Sequence, residues 1–269
     1  MTKSAPHLKL VETPKPKPTP SVEAQNFSVW IGNNCILSGV DASIPKQGVT
    51  CIVGPSGSGK STFLRSLNRI NDDVPGFNIQ GDLLIDGKHI YNDFRNVTRL
   101  RAHIGMVFQK PCVFPRSIRE NVLFGVRGRK LSRSEKNALV ESSLRSAALW
   151  SEVSQRLDEP ASVLSLGQQQ RLCIARTLAT KPEIILLDEP TASVDPVTAR
   201  AIEDMILSLK DRYTIVMVTH DIRQTKRIAD TVMFFCDGQL IESGTAKTMF
   251  GNSQQEKTRI YLNEEFCDC

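Results

Sequence analysis

No apolar run in this 269-residue sequence approaches the length of a bilayer-crossing helix, about 20 residues. The first twenty residues, MTKSAPHLKLVETPKPKPTP, also lack the apolar stretch of a secretory signal. Any work at a membrane is therefore expected from outside the bilayer. The seven cysteines, at 35, 51, 112, 173, 236, 267 and 269, are odd in number and widely spaced. That spacing argues against a dense disulfide framework and suits a reducing compartment. Cys51, Cys173 and Cys236 lie in apolar runs and read as small core residues, whereas Cys267 and Cys269 alone offer too few ligands for a metal. The net charge of +5 is modest and scattered, so no nucleic-acid partner is expected. No internal repeat is present.

What remains is an ordinary globular composition, 40% hydrophobic and 23% charged, with enough chain for a sizeable core. Residues 1–20 alternate Lys, Pro and Thr and are expected to be a disordered tail. From Val22 to Ile44 apolar and polar residues alternate around a Gly-Asn-Asn break, as in an antiparallel hairpin, and GDLLIDGKHI reads as a second. VTCIVG (49–54), IGMVFQ (104–109), EIILLDEP (183–190), YTIVMVTH (213–220) and DTVMFFCDG (230–238) are short apolar runs, the mark of strands covered on both faces. Residues 115 to about 165 carry helix signals. Among them are a capping-box pair, Ser132 and Glu135, and an apolar stripe of Val140, Leu144, Ala147 and Ala148. Strands alternating with helices imply a largely parallel sheet.

Gly54, Pro55, Ser56, Gly57, Ser58, Gly59, Lys60 and Ser61 spell G-x-x-x-x-G-K-S between a buried strand and a helix, with Thr62 following. Such a loop turns its N–H groups onto phosphate oxygens, while Lys60 meets the β- and γ-phosphates and Ser61 offers a hydroxyl to Mg2+. Asp188 ends a second buried strand, where it can hold Mg2+, and Glu189 follows, where it can polarise an attacking water. His220 and Gln109 end two further strands and point to the same ligand-bearing edge. His220 can donate to a γ-phosphate, and Gln109 can meet Mg2+ or the water. The stretch LSLGQQQR (164–171) opens a helix with Ser165 as cap and no acid in its first turn, so its positive end lacks a partner anion.

Phosphate loop, Gln109, LSLGQQQR, LLDEP, SVDP and VTHD in this order resemble the ATP-binding subunit of ABC transporters across residues 22 to 250. The resemblance implies an α/β fold: a P-loop, RecA-like core with a mostly parallel sheet, an N-terminal antiparallel β subdomain and an inserted helical subdomain at about 113–165. The ATPase domain would run from 21 to 255, with 256–269 as a C-terminal tail. It implies ATP and Mg2+, the metal held by Ser61, Gln109 and Asp188, and catalysis by Glu189, His220 and Gln109. It also implies a head-to-tail dimer in which Ser165, Gly167 and Gln168 of one copy cap the γ-phosphate held by the other; SVDP stands where SALD-type residues usually lie, with Asp195 kept among the nucleotide-binding residues. Leu166 stands where the family has a first Gly; if the backbone there needs positive φ or close approach to phosphate, Leu costs energy that Gly does not. Adenine usually stacks on an aromatic just before a Gly; Trp30 is the nearest aromatic, one place removed from Ile31-Gly32.

Finer stretches, among them LNRINDDVPG, IGMVFQKPCVFPRSIRENVLFG and YTIVMVTHDIRQTKRIADTVMFFCDGQLIESG, resemble the bacterial phosphate-import ATPases, the PstB family. That likeness implies permease subunits as partners, a solute-binding protein indirectly, and a peripheral place on the cytoplasmic face of the inner membrane. A polar amino-acid importer subunit shares most of these motifs. A soluble ABC ATPase acting on nucleic acid or ribosomes, and a nucleotide-binding regulator with little hydrolysis, are readings of other classes.

Overall fold

The structure is a computed structural model and describes residues 20–263. The expected tail lies outside this range up to residue 19, as do Cys267 and Cys269. The chain starts with strands β1 (Pro20–Ile31) and β2 (Asn34–Pro45), then β3 (Gly48–Val53) and helix α1 (Lys60–Ser66). Strands β4 (Phe77–Ile85) and β5 (Lys88–His89), helix α2 (Val97–His103) and strand β6 (Ile104–Val107) follow. A helical stretch comes next: α3 (Ile118–Leu123), α4 (Arg133–Ser146), α5 (Trp150–Val153) and α6 (Leu166–Ala179). The last part alternates β7 (Ile184–Asp188), α7 (Pro196–Leu209), β8 (Thr214–Val218), α8 (Ile222–Ile228), β9 (Thr231–Cys236) and β10 (Gln239–Thr245). Helices α9 (Ala246–Asn252) and α10 (Glu256–Leu262) close it.

Two sheets form. Strands β2, β1, β4 and β5 make an antiparallel layer in that order. The second sheet has the order β10-β9-β3-β8-β7-β6, parallel except for β10 at its edge. Its central strands are continuously apolar because both faces are covered, and successive side chains divide between two cores. Ile52, Leu186, Val216 and Phe235 face the antiparallel layer and α1, meeting Leu37, Phe27 and Phe63. Cys51, Leu187, Met217 and Phe234 face the other way, onto α6 and α7. Each fully buried Phe among these contributes about 2–3 kcal/mol of transfer free energy.

The helices start where polar side chains cap them. Ser117 with Glu120, Ser132 with Glu135 and Ser165 with Gln168 form reciprocal capping boxes at α3, α4 and α6. The expected stripe on α4 ends one residue early: Val140, Leu144 and Ala147 are buried, but Ala148 is exposed with φ +50°, past the helix end. The segment after 255 was expected as a tail. Its described part is instead helical, with Thr258 and Leu262 buried and the Tyr261 ring 5.0 Å from Phe234. Among the described residues no helix is long and apolar enough to cross a membrane.

Candidate nucleotide site

Parallel pairing aligns the carboxyl ends of β3, β8, β7 and β6 along one edge, in that spatial order. The phosphate loop leaves β3, His220 lies just past β8, Asp188 ends β7, and Gln109 lies just past β6. Residues far apart in sequence therefore share one rim.

In the loop, Gly54 has φ +146°, and a Cβ there would overlap the backbone carbonyl oxygen of Phe235. Only glycine fits. Gly57, at φ +81°, is exposed and has no atom within 4 Å of where a Cβ would lie, so its constraint is the backbone conformation alone. Helix α1 begins after Gly59 with no side chain capping its N–H groups and no acid in its first turn. The positive end of its dipole is left for an anion. The buried Lys60 ammonium donates to the Gly54 carbonyl at 2.8 Å and to that of Pro55. Burial lowers its pKa, against the opposing pull of Glu189 and Asp188.

Ser61 donates its hydroxyl to Asp188 Oδ1 at 2.8 Å. These two oxygen donors, one neutral and one anionic, sit together at the loop helix and suit a hard divalent cation such as Mg2+. The third member of this group lies outside every motif read from the sequence. Arg65, one turn along α1, donates from Nη2 and Nε to Asp188 Oδ2 at 2.8 and 3.1 Å.

Glu189 is the meeting point of the other two strand ends. Its Oε2 accepts from the Gln109 amide at 2.9 Å and lies 3.3 Å from His220 Nδ1. Gln109 is thus placed on Glu189, and no hydrogen bond joins it to Ser61 or Asp188. Glu189 adopts φ +46°, a left-handed conformation that β-strand patterning does not reveal. Its own N–H donates to the Val218 carbonyl of β8 at 3.0 Å. With Thr191, Ala192, Thr219 and Asp221, the Glu189–His220 pair lines a concavity of about 180 Å3. A larger cleft of about 730 Å3, lined by Asp86, His103 and Lys181 among others, lies near the opposite ends of these strands and shares none of this chemistry.

An acid from α5 packs against the start of the helix that opens with LSLGQQQR, but it is taken up by side chains rather than by the helix N–H groups. Glu152 accepts from the Gln168 amide at 2.7 Å and from Arg171 at 2.6 Å. Gln168 Oε1 meanwhile accepts from the Ser165 N–H, so both ends of its side chain are held by protein. Leu166 is the first helical residue and is not in a positive-φ conformation, which removes the strain expected of it. It is half-exposed. Gly167 is buried, and a Cβ there would overlap the Thr198 methyl of α7, so a larger residue would have to displace that side chain. Asp195 caps α7: Oδ1 accepts from the Val197 and Thr198 N–H groups, both at 3.0 Å, and Oδ2 from the Thr198 hydroxyl. The Thr198 hydrogen bonds hold its carboxyl below the usual range. Trp30 lines a concavity with Gly32, Asn33, Asn78, Ile79 and Gln80.

Comparison with known proteins agrees with this geometry. Residues 37–192, more than half of the chain, match the family model described as ABC transporter. CbiO1 of Clostridium perfringens, part of the ABC transporter complex CbiONQ, is 29% identical with a TM-score of 0.77. That alignment covers 91% of this chain and 95% of CbiO1. A bacterial Atm1-family ABC exporter with ATP bound is 27% identical with a TM-score of 0.76. The match takes in 98% of this chain but only 46% of the exporter. The chain belongs to the ABC transporter family, as an ATP-binding ATPase subunit.

Proposed function

We propose that this subunit drives a membrane importer of inorganic phosphate by ATP-dependent closure of two copies, followed by hydrolysis. The observation that carries the catalytic part is the placement of Glu189 between Gln109 and His220, on the same sheet edge as Lys60 and the Ser61–Asp188 pair. On this reading, Lys60 exchanges its loop carbonyls for the β- and γ-phosphates. The backbone N–H groups of residues 56–62 hold the phosphate oxygens. Mg2+, held by Ser61 and Asp188 with Gln109 turning toward it, would supply positive charge to the triphosphate. Glu189 accepts a proton from the attacking water, and His220 turns its imidazole to the γ-phosphate. Catalysis is then mainly positioning and electrostatics.

Ser165 and Gly167 reach the triphosphate held by the second copy. Ser165, Leu166 and the 81% exposed Val197 at the start of α7 lie on the surface around the Gly167–Thr198 contact, which supports that face as the one a second copy covers. The stretch around Gln109 is the contact with the permease, at the cytoplasmic face of the membrane. The phosphate cargo rests on the PstB-like stretches, since the ATPase subunit itself does not touch the transported ion.

Glu189→Gln should bind ATP normally and lose about 10²–10⁴ in turnover. Near-normal phosphate release would remove Glu189 from its role. Uptake of phosphate and of several amino acids by cells lacking the chain tests the cargo: loss of phosphate uptake alone supports it, and loss of amino-acid uptake alone contradicts it.

A further inference from the structure

Gln224 is buried and lies on α8, away from the rim of the concavity. Its amide oxygen accepts from the Thr219 hydroxyl at 2.9 Å. Its amide nitrogen donates to Thr191 Oγ1 at 3.0 Å and to Glu203 Oε1 at 3.1 Å. Its backbone N–H donates to Asp221 Oδ1, which caps α8, at 2.8 Å. Thr219 immediately precedes His220, and Thr191 follows Glu189 by two residues. One side chain therefore joins the two turns that carry the acid and the imidazole.

The far end of this clamp is fixed. Glu203 on α7 is buried and accepts from Arg227 at 2.6 and 2.8 Å and from Arg200 at 3.2 Å. A carboxylate on that side requires a donor facing it, so the amide orientation of Gln224 is set, and with it the acceptor presented to Thr219. The Glu189 turn needs such a hold. A left-handed φ is unfavourable for a residue with a side chain, and the following Pro190 disfavours helical conformations at the residue before it. Such conformations persist only where surrounding contacts over-determine them.

We infer that Gln224 is a positioning residue for hydrolysis, holding the Glu189 and His220 turns in register through Thr191 and Thr219. The inference rests on Glu189 being the group that activates water. Displacing a catalytic group by about 1 Å can cost about a hundredfold in rate. Gln224→Leu keeps the volume and removes every side-chain hydrogen bond.

The test measures kcat, KM for ATP, ATP affinity and thermal melting for Gln224→Leu, Thr191→Val, their double variant and Glu189→Gln. Gln224→Leu is expected to lower kcat by about ten- to a hundredfold while KM and ATP affinity stay within about twofold. The double variant should lose no more than the worse single, because both cut the same link. Thr191→Val, a smaller change, reads the link even if Gln224→Leu does not fold: a fall in kcat at unchanged ATP affinity supports the clamp, and unchanged kcat overturns it. Normal kcat in Gln224→Leu, equal losses in kcat and ATP affinity, or additive losses in the double variant would also overturn it. If Glu189→Gln is slow while Gln224→Leu is normal, the clamp alone fails. If Glu189→Gln turns over normally, the reading of the base fails and the clamp with it.

Discussion

Replacing Leu166 by glycine restores the residue that the family has at that place in LSLGQQQR, and the structure sets what this should do. Leu166 begins α6 in ordinary helical backbone and is 46% exposed, so no strain is released. Glycine in a helix costs about 0.5–1 kcal/mol relative to alanine, and losing a half-buried leucine side chain removes about 1 kcal/mol more. The sum, about 1–2 kcal/mol, corresponds to a fall in Tm of roughly 2–8 °C for a domain of this size. Calorimetry reads the first quantity; phosphate release at saturating ATP reads the second effect. Turnover per folded molecule should not fall and can rise, since a smaller residue eases approach to the neighbouring copy's phosphate. A higher Tm would show that Leu166 was strained. A tenfold loss of turnover in a folded variant would show that leucine is required there, and would refute the reasoning.

Two glycines of the phosphate loop should part company. Gly54→Ala places a methyl on the Phe235 carbonyl and should abolish soluble, folded protein; Gly57→Ala meets no atom and should fold, at a cost of about 1–2 kcal/mol from its left-handed backbone. Equal melting curves for the two would contradict this. Glu203 carries a pH dependence. Burial opposes its ionisation, but hydrogen bonds from Arg227 and Gln224 outweigh it and hold its pKa below the ordinary value of 4.5. With the folded pKa depressed, its contribution is complete above pH 4.5 and is lost as pH falls through the folded value. Glu203→Gln should therefore be less stable than the parent at neutral pH, by about 1–3 kcal/mol, with the gap closing in acid. A gap that widens in acid would reverse the sign of the argument.

The sequence discloses those parts of the site whose chemistry needs fixed residue types within one short segment. Gly54 to Ser61 is readable because turning a backbone onto phosphate demands glycine at set spacings, and Asp188–Glu189 because a phosphate loop upstream gives two acids at a strand end a cation and a water to act on. The buried strands were legible from unbroken apolar runs, which only a sheet covered on both faces needs. What stayed hidden depends on contacts between segments. Strand order alone brings Gln109, Glu189 and His220 to one point. Arg65 on Asp188 and Glu152 on Gln168 are long-range pairs between residues that look like ordinary surface charges. The left-handed Glu189 has no local signal, because nothing in ILLDEP marks a positive φ at a non-glycine residue. The Thr198 methyl beside Gly167 is another contact between segments, made across the α6–α7 pair. The short helix α10 escaped because only a few of its residues are apolar; packing on Phe234, not propensity, holds it.

The central claim is that two copies of this chain enclose a shared triphosphate, each supplying half of its surroundings. Light scattering on Glu189→Gln, with and without ATP and Mg2+, tests it directly. The account predicts monomer without nucleotide and twice the monomer mass with it, reverting when Ser165 is also changed to a bulky acid. A strictly monomeric protein in saturating ATP and Mg2+, both alone and bound to its membrane partners, would contradict it.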